Sequence, residues 1–248
     1  MKRALVPGLY LLLAGCVSSG SPVDTDAGRE AARDAYVQLA IGYLQQGMTG
    51  RAKQPLQKAL ELDPDSADAH AALALVFQTE MESSLADAEY QKALASSPEA
   101  RILNNYGSFL YGQGRYADAM ERFRQAANDP MYPERGRIFE NMGLTALRLG
   151  QPQEAGACFA RALRIDGQRP GALLELATLA MANRQYVVAK GYYERFSALS
   201  EPTARSLLLG IRLAEALQQP DQAASLVLRL KRQYPASPEY KTYLSEHP

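Results

Sequence analysis

Few side chains in this 248-residue sequence could carry covalent, metal or proton-transfer chemistry: two histidines, His70 and His247, and two cysteines, Cys16 and Cys158. Acid–base work or metal ligation needs such groups clustered. Neither histidine has a partner close in sequence; His70 sits where a helix wants a large packed residue, and His247 is penultimate in a tail expected to fray. Cys158, beside Ala155, Phe159 and Ala162, has no nearby histidine to activate it and reads as a small core residue. Paired acids such as Asp63 and Asp65 fall at a helix end, where capping explains them. The sequence has no Gly-rich phosphate loop, zinc-protease helix motif or nucleophile elbow. An enzyme is therefore not expected, nor a metal, cofactor or small-molecule substrate. Lys+Arg 27 balances Asp+Glu 27, so the chain lacks the basic footprint of a nucleic-acid binder.

Cys16 is the exception. Lys2 and Arg3 precede a mainly apolar run from Ala4 to Leu13, and Leu13, Ala14 and Gly15 lead into Cys16. The run is too short for the roughly 20 residues of a membrane-spanning helix, so it reads as a secretory signal over residues 1–15. Leu-Ala-Gly-Cys resembles the bacterial lipobox, which implies a diacylglyceryl thioether on Cys16, cleavage before it and acylation of the new amino terminus. Val17 follows, where an aspartate would mark inner-membrane retention, so the resemblance implies a lipid-anchored outer-membrane protein facing the periplasm. The Ser-, Gly- and Pro-rich segment up to residue 28 reads as a tether with a reach of roughly 20 Å.

The elements that must carry any site come from a repeat. Small residues recur at Ala52, Ala86, Ala119, Ala155, Ala189 and Ala223, with spacings of 34, 33, 36, 34 and 34. Seven positions beyond the first four lie Ala59, Ala93, Ala126 and Ala162, and Pro64, Pro98 and Pro235 close units. Earlier in each unit, sets such as Tyr36, Leu39, Ala40, Tyr43 and Phe139, Met142, Gly143, Ala146 share one helical face. This pattern resembles the tetratricopeptide repeat. It implies an all-α, right-handed superhelical solenoid of six helix-turn-helix units over residues 29–237, bounded near 33–66, 67–99, 100–135, 136–169, 170–203 and 204–237, with a polar tail over 238–248. The two surplus residues of the third spacing fall in the Pro-containing stretch 129–135 and predict a longer loop; Pro55 should kink the second helix or displace its start.

In such stacks the first helix of each unit lines a concave wall. Its positions here are Val37, Ile41, Leu44, Leu75, Gln78, Asn104, Ser108, Tyr111, Leu144 and Leu147, with Glu140 and Arg148 beside them. An apolar stripe that stacking leaves open favours a protein partner. The chaperone-type carboxylate clamp is not expected: its lysine and asparagine places hold Val37 and Ile41.

Taken with the lipobox, the stretches Asp68 to Glu80, Arg101 to Leu110, Tyr132 to Arg135 and Ala204 to Ala214 resemble the PilF/PilW family of type IV pilus biogenesis lipoproteins. That resemblance implies a pilotin, an outer-membrane lipoprotein that binds the pilus secretin and promotes its localisation and multimerisation. The alternative is another periplasm-facing tetratricopeptide lipoprotein, an adaptor for peptidoglycan enzymes or outer-membrane protein assembly.

Overall fold

The computed structural model describes residues 25–247. Cys16, the signal segment and most of the expected tether lie outside these residues. Among the described residues every regular element is a helix, arranged as six pairs and a final single helix. The pairs are α1 (Asp26–Gln45) with α2 (Thr49–Leu62), α3 (Ala67–Thr79) with α4 (Ser83–Ser96), and α5 (Ala100–Gly112) with α6 (Tyr116–Ala127). They continue with α7 (Arg135–Arg148) and α8 (Pro152–Ile165), α9 (Pro170–Ala182) and α10 (Tyr186–Leu199), and α11 (Ala204–Ala216) and α12 (Pro220–Gln233); α13 (Pro238–Glu246) closes the chain. The first helix of each later pair packs on the second helix of the pair before it, giving the right-handed tetratricopeptide superhelix.

Local chemistry sets the helix ends. Thr25 and Ser66 cap α1 and α3 through side-chain oxygens that accept from Gly28 N and Ala69 N at 3.0 and 3.3 Å. Thr203 and Ser206 form a reciprocal capping box on α11. Pro152, Pro170, Pro220 and Pro238 open their helices, where the missing N–H costs nothing.

The turn inside each pair repeats the sequence period in backbone form. Gly47, Gly114 and Gly150 hold φ near +72°, +75° and +72°, and Met81, Arg184 and Gln218 occupy the same place in the other pairs at +62°, +59° and +57°. Left-handed backbone costs a residue with a Cβ about 1–2 kcal/mol. Arg184→Gly and Gln218→Gly are therefore each expected to raise stability by roughly 0.5–1 kcal/mol after the extra chain entropy of glycine is subtracted, measurable as a higher urea midpoint.

The core is built by fitting large residues against small ones. Gly107 and Gly143 face the rings of Phe123 and Phe159 from their own unit's second helix, and a Cβ there would lie only 2.7 and 2.5 Å from ring carbons. Tyr90, Tyr106 and Phe109 stack between the second and third pairs, with Tyr90 and Tyr106 ring centroids 5.1 Å apart. Ion pairs bridge successive units: Arg169 to Glu140 at 2.6 Å, and Arg205 to Glu175 through two bonds of 2.6 and 2.8 Å.

Four expectations need correction. Helix α1 begins at Asp26, inside the segment read as tether, because Thr25 caps it. Helix α2 runs through Pro55 with its start at Thr49 in the same register as α4, so of the two expected effects the displaced start does not occur. Residues 238–246 form a helix rather than a frayed tail, capped by Ser237 and packed through Tyr240 and Tyr243 on Leu207, Ile211, Leu226 and Leu230. His247 stacks on Tyr243, ring centroids 4.4 Å apart, and lies 3.1 Å from Glu215. The stretch 129–134 between α6 and α7 is the expected longer connection; Arg135 ties it down by donating to the Ala127 carbonyl at 2.9 Å.

Candidate functional site

Among the described residues, His70, Cys158 and the Asp63–Asp65 pair are engaged in packing, hydrogen bonds or capping. His70 is buried, but it has a partner that sequence proximity did not suggest: Nδ1 lies 2.6 Å from a Glu89 carboxylate oxygen on α4, and Nε2 lies 2.9 Å from the Pro64 carbonyl. Both ring nitrogens are thus engaged and neither faces a substrate cleft. Cys158 is buried on α8, and desolvation, aided by Glu154, pushes its thiol above the ordinary range, which disfavours the nucleophilic thiolate. Asp63 ends α2, where one carboxylate oxygen accepts from Asp65 N at 3.1 Å and the other pairs with Arg33 at 2.8 Å. Among the described residues no group of three or more His, Cys, Asp or Glu is placed to hold a metal, and no helix is long and apolar enough to cross a membrane.

The expected concave wall divides. Val37 and Asn104, each 3% exposed, are buried and do not present an open contact surface, although Asn104 shares a helix face with Ser108 and Tyr111. Asn104 instead accepts a 3.1 Å hydrogen bond from the Asn141 amide across α5 and α7. Ile41 and Leu44 pack half-buried on the core of the first pair, and Leu75 on the larger central core. Gln78 is exposed and accepts from the Tyr90 hydroxyl at 3.1 Å. The structure does bring Ser108, Tyr111 and Leu144 together: with Phe123 and Asn141 they line a cavity of about 110 Å³ on α5 and α7. Leu147 lies half-buried beside the same core.

A second surface was missed in the sequence. Tyr36, Leu39 and Tyr43 of α1 belong to the face that later first helices bury: the residues equivalent to Tyr36 in the last four units, Leu103, Phe139, Leu173 and Leu207, are at most 4% exposed. Tyr36 is 36% and Leu39 48% exposed, because among the described residues no helix pair precedes α1 to cover it. A terminal repeat with no partner normally presents a polar outer face. Here the open face, with Gly50 and Pro55 of α2, forms a cleft of about 540 Å³ rimmed by Arg51 and Lys58. It is an apolar, partly aromatic surface with basic edges, suited to holding a segment of another polypeptide.

Comparison with known proteins agrees with this architecture. Tetratricopeptide-repeat family models match residues 34–66, 82–134, 113–170, 140–189 and 174–238. The type IV pilus assembly protein PilF of Pseudomonas aeruginosa is 54% identical over 249 residues, 99% of each chain. An uncharacterised Haemophilus influenzae protein is 31% identical over 159 residues, 64% of this chain and 87% of that one. The solved structure of P. aeruginosa PilF superposes with a TM-score of 0.85 at 55% identity, covering 88% of this chain and 99% of that one. PilW, described as a widely conserved type IV pilus biogenesis factor, superposes with a TM-score of 0.73 at 32% identity, covering 86% and 98%.

Proposed function

This chain belongs to the PilF/PilW family of tetratricopeptide-repeat proteins, and from that premise we propose that it is a non-catalytic pilotin of type IV pilus assembly. In this reading acyl chains on Cys16 hold it at the periplasmic face of the outer membrane, and its repeats bind the pilus secretin and promote ring assembly. The observation that carries the proposal is identity of 54% across 99% of a relative named for type IV pilus assembly.

The open apolar face of the first unit supports a protein partner, and we assign the secretin contact to Tyr36, Leu39 and Tyr43. A partner segment laid there would do for α1 what each preceding helix pair does for α3 to α11, removing apolar area from water at about 25 cal/mol per Å². Ile41 and Leu44 pack on the core of the first pair and Leu75 on the central core, and none of the three lines this cleft.

Leu39→Asp is expected to weaken secretin capture at least tenfold, since a charge in an apolar contact costs well over the roughly 1.4 kcal/mol that a tenfold loss represents. Helix content should be unchanged, because Leu39 is about half exposed in the unbound protein. Pull-down of secretin from detergent-solubilised envelopes, with circular dichroism of the same variant, checks this. Undiminished capture removes the first-unit face as the contact. Recovery of cell-wall hydrolases or assembly-machine subunits in place of secretin favours the adaptor alternative.

A further inference from the structure

The concave cavity on α5 and α7 has a composition and size that the pilotin reading does not use. Its floor includes the buried ring of Phe123, and Ser108, Tyr111, Asn141 and Leu144 form its walls. An engineered cavity of about 150 Å³ accommodates one benzene molecule, so a socket of about 110 Å³ has room for one branched aliphatic side chain and no more. It is far below the roughly 300–1,000 Å³ of pockets that enclose small-molecule ligands.

Beside this socket stands a cation. Arg148, one helical turn beyond Leu144, is exposed and donates from Nε to the Tyr111 hydroxyl at 3.2 Å. The ring of Tyr111 is itself fixed edge-on against Tyr116, centroids 5.3 Å apart. The groups acting on the guanidinium are the phenols of Tyr111 and Tyr116. No carboxylate among the described residues pairs with Arg148, whereas Arg115, Arg124 and Arg169 each have one. Four helical residues rise about 6 Å, and alternate residues of an extended chain, whose side chains share a face, are about 6.6–6.8 Å apart. The spacing from the socket wall at Leu144 to Arg148 therefore matches the spacing from one residue of a bound strand to the next but one.

We propose that this stretch of the concave wall is a second peptide-binding site, which takes an extended internal segment carrying a branched aliphatic residue and, two positions away, an aspartate or glutamate. The aliphatic side chain fills the socket over Phe123. The carboxylate pairs with Arg148, whose remaining N–H donors are arranged for a carboxylate. The Asn141 amide, steadied by Asn104, stands at the socket for the backbone of the segment. The site is separate from the first-unit face and does not require the partner to be the secretin.

The test uses the full mature chain in detergent and fluorescein-labelled, C-terminally amidated octapeptides, read by anisotropy. The parent peptide is Gly-Ser-Leu-Ser-Glu-Ser-Gly-Ser, accompanied by its reversed sequence. One of the two orientations is expected to bind in a salt-dependent manner, roughly tenfold tighter than its Glu→Gln counterpart, as a charge-assisted pair requires. The Leu→Ser peptide should not bind detectably. Arg148→Glu should invert the preference toward a Glu→Lys peptide, and Ser108→Leu, which fills the socket from an exposed position, should abolish binding with helix content intact. Equal binding of the Glu, Gln and Lys peptides, absence of binding by both orientations, or indifference to both substitutions would overturn the proposal. So would a preference for a peptide with a free terminal carboxylate and no internal acid. Leu39→Asp should leave this binding unchanged, so failure here is distinguishable from failure of the first-unit contact.

Discussion

Phe159→Ala is expected to cost about 3–5 kcal/mol, the range for deleting a fully buried aromatic ring, and to couple in a diagnostic way to Gly143. Phe159 is wholly inaccessible to solvent, and its ring lies where a Cβ on Gly143 would need to be. Gly143→Ala alone should therefore overpack the fourth unit and destabilise it by about 1–3 kcal/mol. With the ring removed the added methyl has space, so the double variant should be no less stable than Phe159→Ala alone. The coupling should be favourable and within the roughly 0.5–3 kcal/mol seen for residues in contact. Urea unfolding of the four proteins of the cycle gives the answer. Simple additivity would mean that the close approach of α7 and α8 does not depend on the glycine.

The second large effect is functional. Cys16→Ala is expected to block lipidation and signal cleavage and so move the protein off the outer membrane while leaving the repeats folded. Each buried methylene contributes about 0.8 kcal/mol to membrane partitioning, and stable anchoring takes two signals or chains. Among the described residues no membrane-spanning helix offers a substitute. In sucrose-gradient fractions the variant should leave the outer-membrane peak, and secretin rings should become scarce or misplaced. An unchanged outer-membrane peak would contradict the anchor.

The repeat was legible because it is written in residues that have no alternative explanation. A small residue at Ala52, Ala86, Ala119, Ala155, Ala189 and Ala223 makes sense only if the same helix–helix approach recurs, and in the structure all six are buried. The last helix was less legible, although Ser237 before Pro238 is a helix-start signal. Polar composition suggested an end that frays, whereas Tyr240 and Tyr243 supply the apolar side that docks it.

The candidate surfaces were legible only in part, and for a geometric reason. Residues four and seven apart share a helix face, so Asn104, Ser108 and Tyr111 point the same way; what the spacing does not give is how far neighbouring helices cover each position, which buries Val37 and Asn104 while Ser108, Tyr111 and Leu144 line the cavity. The face of α1 was hidden by the repeat pattern itself. Tyr36 and Leu39 match positions that pack between helices, and only their place at the first unit leaves them open. His70 shows a related limit, since its partner Glu89 is 19 residues away and meets it only once α3 and α4 pair.

The most direct test of the pilotin account is to compare heat-resistant secretin multimers in membranes of otherwise identical cells with and without this gene product. Multimers should be abundant when it is present, and secretin should remain monomeric or mislocated when it is missing. Multimers of equal abundance and location in both membranes would contradict the pilotin account.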